Sequence, residues 1–396
     1  MPKNAEDVES KPPYRIPTMA EIRKRAGTNG LSVVSTFTGA GGSCLGFEMA
    51  GYRVLWASEF VAAAAEVHRL NFPHCPIDDR DIRDVEPSDI LDAVGLESGQ
   101  IDVLQGSPPC SSFSQAGKRE SLWGAERKYS ETRQRTDDLF YEFARLLRGL
   151  RPRAFVAENV PGLRTGRARG YLQEIAAELK SCGYRVRVQE LDAQWLGVPQ
   201  RRKRLIFVGL RDDVATTVVS PFPRPLPYRY TLADACPWIV DEANDAGVTA
   251  VLNMRAHGYF PGKDVPLSEP SATVTTHTGD LFVAYGPPIG KLAIGKEARK
   301  LKPGTWSRKY YQLARTSEHD IVPTVTSRGG EPSAASVVAP DGKRKFSIAE
   351  LRRICGFPDD FELTGNYAQQ WERLGRAVPP PMAREIARAL AEVLYG

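Results

Sequence analysis

The sequence predicts an open, doubly wound α/β sheet with a smaller, mostly irregular and β-rich module inserted before a C-terminal helix. Three observations predict it. Through the first half of the 396-residue chain, short runs of branched and aromatic residues alternate with segments of helical spacing. The proline-rich stretch PFPRPLPYRY at 221–230 then breaks that rhythm, and short strand-like pieces and turns follow. Helical spacing returns only at the end, where Met382, Ile386, Leu390, Val393 and Leu394 share one face. The C-terminus is therefore expected to rejoin the first domain.

The strands come in order as LSVVSTF (31–37), RVLWASEF (53–60), IDVLQGS (101–107), RAFVAENV (153–160), YRVRVQEL (184–191) and RLIFVGL (204–210). Each is an apolar run bounded by polar or glycine punctuation, the pattern of a strand buried in a sheet. Between them Leu139, Phe140, Phe143, Leu146, Leu147 and Leu150 recur at helical spacing, as do Tyr171, Leu172, Ile175 and Leu179. Strand and helix in alternation imply parallel strands joined by crossover helices. Four segments result: a flexible lead-in at 1–30, a main domain at 31–222, an inserted module at 223–368 and a completing segment at 369–396.

Composition sets the class. With 42% hydrophobic and 26% charged residues the chain reads as a soluble globular protein, and no apolar run approaches the roughly 20 residues that span a bilayer. The polar N-terminus lacks the apolar core of a secretory signal. A net charge of +5 permits a polyanionic partner without requiring one. Six cysteines without a CxxC pair, and five histidines without ligand spacing to them, support neither disulfides nor a metal site and suit a reducing cytoplasm.

Four stretches carry chemistry. FTGAGGSCLGFEMAG (37–51) is a glycine-rich turn between a strand and a helix, the arrangement by which doubly wound folds bind adenosine cofactors. Glu59, at the end of the next strand, is placed to accept hydrogen bonds from ribose hydroxyls; a helix-start carboxylate is the equal alternative. Asp81 is either an adenine contact or a turn residue. Cys110, in GSPPCSSFSQAGKR, follows the 101–105 strand at the carboxyl edge of the sheet, where open α/β folds place their sites. AENV (157–160) puts Glu158 at the same edge, although the Glu-Asn pair also suits a helix cap. VPQRRKRLIFVG (198–209) runs four cations into a strand, with Arg202 and Arg204 expected on opposite sides of its entry.

In this order and spacing, FxGxGG, the acid after strand two, PPC before S-F-S, ENV, QRRxR, GFPxxF and a late G-x-A-V-P-P resemble the DNA (cytosine-5)-methyltransferases. The likeness runs from about residue 31 to 396, apart from roughly 223–315. It implies a Rossmann-like methyltransferase sheet, S-adenosylmethionine as cofactor and a target-recognition role for the inserted module. Residue by residue it implies cofactor contacts from Phe37, Ala40 and Gly42, a ribose ligand in Glu59 with Phe60 beside the adenine, and adenine-edge positions at Asp81 and Ile82. Pro109, Leu139 and Val378 complete the cofactor wall. Cys110 matches the nucleophile, Glu158 the acid on the cytosine ring, and Arg202 and Arg204 the paired arginines of the pocket.

The resemblance further implies double-stranded DNA as partner, a monomer, and a companion restriction endonuclease that is not a stable partner. The alternatives are an RNA substrate, as in one branch of the family, or a relative that binds without turnover. Three departures stand out: Ser35 where an acid is frequent, Ser111 where glutamine is frequent, and Arg376 where Gly-Asn is usual. The loop 111–135, with Trp123 and six cations, is expected to close on DNA as a lid. Arg328 and the run Arg308 to Tyr311 are expected to meet DNA in the inserted module.

Overall fold

The computed structural model describes residues 11–109, 127–129, 132–134, 138–164, 168–214, 220–237, 239, 252–253, 264–265, 286–331 and 333–395. Cys110, Trp123 and the lid cations lie outside this description, or on strand residues whose side chains do. The described residues include no helix long and apolar enough to cross a membrane.

The lead-in departs from expectation in its described part. Residues Met19–Arg25 form helix α1, capped by a reciprocal box in which Thr18 and Glu21 each hold the other's backbone N–H. Met19 and Ile22 are buried in the main core. The arm before α1 is tied down as well: Lys11 pairs with Asp234 at 2.7 Å and the Tyr14 hydroxyl donates to the Arg353 carbonyl. Proline and charge made 1–30 look unstructured, but two buried apolar side chains and a satisfied cap suffice to order residues 11–30.

The sheet follows the expected strands closely. β1 (Ser32–Thr36), β2 (Arg53–Ser58), β3 (Ile77–Asp78), β4 (Val103–Gly106), β7 (Ala154–Asn159), β8 (Tyr184–Asp192) and β9 (Lys203–Arg211) stand in the order β3-β2-β1-β4-β7-β9-β8. The first five are parallel, and β9 runs antiparallel to both β7 and β8. That reversal departs from an all-parallel reading. The ten residues between β8 and β9 hold only a short turn, too few for a crossover helix.

Two-residue alternation sorts the strand side chains into two layers. Val33, Val103, Val156, Ile206 and Val208 pack on one face with Phe47, Met382, Ile386 and Leu390. Val34, Leu104, Phe155 and Phe207 pack on the other with Ile90, Phe143, Leu147 and Ile175. The first face is covered by α2 (Gly42–Met49) and the C-terminal α11 (Pro380–Tyr395); the second by α4 (Pro87–Val94), α5 (Leu139–Leu150) and α6 (Ala168–Ser181). α3 (Ala62–Asn71) precedes β3. The C-terminal helix thus packs on the sheet of the first half of the chain. It lies so near α2 that a side chain at Gly46 would run into Ala383 and the Pro380 carbonyl.

After the proline-rich stretch and the short helix α7 (Leu232–Ala235), the described part of the insertion is mostly irregular. It contains α8 (Ala293–Ala298) and a small sheet of β12 (Thr305–Trp306), β13 (Ala314–Arg315) and β14 (Val337–Val338). Two further antiparallel pairs, β5–β6 (Arg127–Tyr129, Thr132–Gln134) and β10–β11 (Leu252–Asn253, Asp264–Val265), stand before α5 and after α7 in the chain. Ile289, Ile294, Ala298, Leu313 and Val338 form a satellite core of the insertion. By contrast Val322, Val325, Phe346, Leu351 and Trp371 join the cluster that contains Leu45 and Val67 of the first domain. Helices α9 (Ile348–Cys355) and α10 (Tyr367–Arg376) complete that junction.

Candidate active site

The turn between β1 and α2 depends on backbone freedom. Gly39 and Gly41 take left-handed φ angles of 57° and 89°, and Phe37 is held at 51°, a region that non-glycine residues rarely visit. α2 begins at Gly42 with no side-chain cap, which leaves its first-turn N–H groups for a ligand. Ala40 is buried beneath the turn, and the backbone at Ala377–Val378 lies directly against Gly42.

Glu59 closes this turn from below. One carboxylate oxygen accepts the Gly39 N–H at 2.7 Å and the other the Val61 N–H at 2.8 Å. Burial pushes its carboxyl up, while those two donors, Arg373 and Arg376 favour the ionised form. A carboxylate has about four acceptor positions, so room remains for two hydroxyls. Phe60, 37% exposed and next to Glu59 in the chain just past β2, offers an aromatic side chain there. Uncapped helix, buried acid and adjoining ring together fit an adenosine group with vicinal hydroxyls.

Asp81 caps the turn Ile82–Asp84 and is paired with Arg83 at 2.9 Å. Arg83 also reaches Asp138 at 2.7 Å, tying this loop to the start of α5. Ile82 and Val378 are buried, and Pro109 is half-buried. Leu139 is enclosed within the core on the α5 side.

Sequence reading missed the polar layer under the turn. Ser35 donates to Gln105 Oε1 at 2.7 Å, Cys44 donates to Ser35 at 3.4 Å, and Thr38 and Cys44 share a contact of 2.9 Å. All four are buried. Ser35, one of the three departures, thus has a role as the joint between β1 and β4. Gln105 within the apolar run VLQG was the available signal, since a polar side chain on a central strand needs a partner.

At the carboxyl edge of β7, Glu158 Oε1 meets Arg204 Nε at 2.6 Å, with the two side chains only 14% and 13% exposed. Neighbouring Asn159 donates to the Pro108 carbonyl at 3.0 Å. Asn159 thereby anchors the loop that leads to Cys110, a role its reading as a helix cap did not foresee. A small, mostly apolar void between the sheet and helices α2 and α11 is lined by Phe47, Val156, Ile206 and Ile386, with Glu158 and Gln105 among its polar neighbours.

Arg202 and Arg204 stand on the same side of β9, not on opposite sides. Side chains two residues apart on an extended chain share a face. Arg202 is 2% exposed. Its Nη1 donates to the Val325 carbonyl at 3.2 Å, and its Nη2 to the carbonyls of Arg376 and Ala377 at 3.2 and 2.9 Å. Burial pulls its pKa down, with Arg204 adding to the effect.

The model of C-5 cytosine-specific DNA methylases matches residues 31–392. The chain belongs to this family. Among similar proteins, the type II methyltransferase M1.HphI of Haemophilus parahaemolyticus is 29% identical over 92% of this chain and 87% of its own length. The type II methyltransferase M.Sau96I of Staphylococcus aureus is 29% identical over 96% and 80%. A DNA modification methyltransferase candidate encoded within an E. coli prophage aligns with a TM-score of 0.68, at 21% identity over 92% of this chain and all of that one. The S. pombe Dnmt2 methyltransferase aligns with a TM-score of 0.53 at 14% identity, over 92% and 98%. This methylase is therefore a DNA (cytosine-5)-methyltransferase with a Rossmann-like sheet.

Within the methylase, the described thiols are poor nucleophiles. Cys44 and Cys355 are each pushed up to about 11 by burial, and burial raises Cys75, Cys182 and Cys236 as well. A thiol so shifted is almost entirely protonated at neutral pH.

Proposed function

We propose that this methylase acts on a cytosine swung out of a specific sequence in duplex DNA, with S-adenosylmethionine as methyl donor and Cys110 as nucleophile. The ion pair between Glu158 and Arg204, next to the Asn159 contact with Pro108, two residues before Cys110 in the sequence, supports this reading. Carbon 5 of cytosine is a weak nucleophile. Addition of the Cys110 thiolate to carbon 6 turns the ring into an enamine and activates carbon 5. Glu158 holds or protonates ring N3 as the negative charge develops. Arg204 Nη2 makes no hydrogen bond among the described residues, and it is the group assigned to the cytosine carbonyl oxygen. Carbon 5 takes the methyl group as its bond to the donor sulfonium breaks; the carbon 5 proton then passes to water, which restores the double bond and expels the thiolate.

Glu59, Phe60 and the first turn of α2 would hold the cofactor, which supplies an electrophilic methyl group on a sulfonium. Ser35 and Gln105 keep the underlying strands in register. Extrusion of the base costs a few kcal/mol of stacking and pairing. Contacts to the DNA on both sides of the base would offset that cost.

The exposed surface of α8 and the β12–β13 hairpin suits such contacts. Lys296, Arg299, Lys300, Lys302, Arg308 and Lys309 are exposed there, and none forms a salt bridge among the described residues. Glu297 is the sole acid between 291 and 309. Trp306 and Tyr311 stand out at 54% and 72% exposure. Elsewhere arginines such as Arg80, Arg145 and Arg153 are paired with carboxylates. Replacing Lys296, Arg299, Lys300 and Lys302 together by glutamine is expected to lower the salt slope of DNA binding by about 0.9 for each phosphate that is no longer neutralised. Titration against duplex DNA at several salt concentrations measures it, and an unchanged slope removes this surface from the DNA interface.

The proposal as a whole is tested by mixing the protein and cofactor with duplexes, and with RNA, that contain 5-fluorocytosine. A denaturation-resistant adduct on DNA alone is expected. An adduct on RNA alone moves the substrate, and no adduct on either removes the covalent mechanism. Bisulfite sequencing of DNA from cells expressing the chain identifies the site.

A further inference from the structure

Arg202 joins two parts of the molecule that have separate tasks, and the join rests on the methyltransferase reading above. Segment 199–202 is zipped to segment 320–325 of the insertion. Arg201 N–H donates to the Val322 carbonyl at 2.8 Å, Val322 N–H to the Pro199 carbonyl at 3.1 Å, and the Thr324 hydroxyl to the Arg201 carbonyl at 2.6 Å. The same strip is held from its other side by α10. Trp371 Nε1 donates to the Thr326 carbonyl at 2.8 Å, and a side chain at Gly375 would lie 2.9 Å from Thr326 and Ser327 backbone atoms. It then enters the Ser327–Gly330 turn, which carries the exposed Arg328.

The guanidinium of Arg202 spans this strip and the turn after α10, with one nitrogen on Val325 and the other on Arg376 and Ala377. Ala377 and Val378 in turn press on Gly42, the first residue of the cofactor-turn helix. A buried cation holding three carbonyls gives the two segments one fixed spacing, because moving either strips a charged donor of its acceptor.

We propose that Arg202 is a positioning residue through which DNA seated on the insertion and cofactor seated at the glycine turn strengthen each other's binding. Such a linkage is reciprocal, and contact alone does not establish it. The test is therefore an affinity ratio.

S-Adenosylhomocysteine is titrated calorimetrically into the wild type, Arg202→Met and Arg202→Lys, with and without a short duplex carrying the site found by bisulfite sequencing. In the wild type the duplex is expected to tighten the nucleoside about fivefold or more. In Arg202→Met the ratio falls to one, and in Arg202→Lys an intermediate ratio returns. An arginine that served stability alone would lower the melting temperature and weaken both ligands while leaving the ratio intact. A wild-type ratio retained in Arg202→Met, or a ratio of one in the wild type, overturns the inference.

Should Arg202→Met not fold, hydrogen exchange on the wild type decides. S-Adenosylhomocysteine must slow the amides of 322–327, and unchanged exchange there overturns the inference. Failure of the broader reading looks different: the wild type would then bind no S-adenosylhomocysteine and form no fluorocytosine adduct.

Discussion

Replacing Cys110 by serine is expected to lower methyl transfer to duplex DNA by at least about three orders of magnitude and to abolish the 5-fluorocytosine adduct. The hydroxyl is nearly isosteric, but its oxygen is a far weaker nucleophile at neutral pH than even the few per cent of thiolate that an ordinary cysteine supplies. DNA and S-adenosylhomocysteine affinities should stay close to wild type, since neither the glycine turn nor the basic surface of the insertion is touched. Single-turnover transfer of a labelled methyl group, with gel-shift titration alongside, separates the two quantities. Undiminished transfer would remove covalent catalysis. No other described cysteine would replace Cys110, because burial raises the pKa of each.

Glu158→Gln is expected to slow transfer by about 10²–10⁴-fold, the range typical of losing a positioned acid or base. Glutamine keeps the shape and one acceptor for Arg204 but loses the negative charge and the acidic proton. Its adduct with fluorocytosine should form slowly, because N3 receives no help as the thiolate adds. Glu158→Ala is the less informative choice. It leaves the nearly buried Arg204 guanidinium without its partner at 2.6 Å, at a cost of about 3–5 kcal/mol of stability. Comparing melting temperatures for the two variants with their rates distinguishes chemistry from folding. A Glu158→Gln rate within a few-fold of wild type would take the carboxyl out of the reaction.

Much of the sheet was legible because burial on both faces forces continuous apolar runs, and VVST, LIFV and AFVA leave little alternative. Ile77–Asp78 was not legible, since two residues carry no period. Nor was the direction of β9, as alternation is the same whichever way a strand runs. The order in the lead-in was partly written in Thr18-x-x-Glu21, a capping box that proline-rich flanks disguised. At the site, Glu59 and Glu158 stood out by their place at strand ends. The fate of Arg202 did not: it read as one of two cations at the entry of a strand, and only long-range packing shows three carbonyls converging on it. Gln105 and Asn159 were visible as polar residues in apolar runs, but their partners, Ser35 and Pro108, lie 70 and 51 residues away.

The reversal of β9 has a geometric payoff at the reacting edge. A strand laid alongside its neighbours would bring its last residues to that edge and leave Arg204 at the far rim, about 20 Å away at roughly 3.3 Å per residue. Turned around, the strand arrives with its opening residues. One hairpin return therefore lodges a cation beside the carboxyl of β7, and the chain just upstream of it is delivered to the seam where the insertion docks.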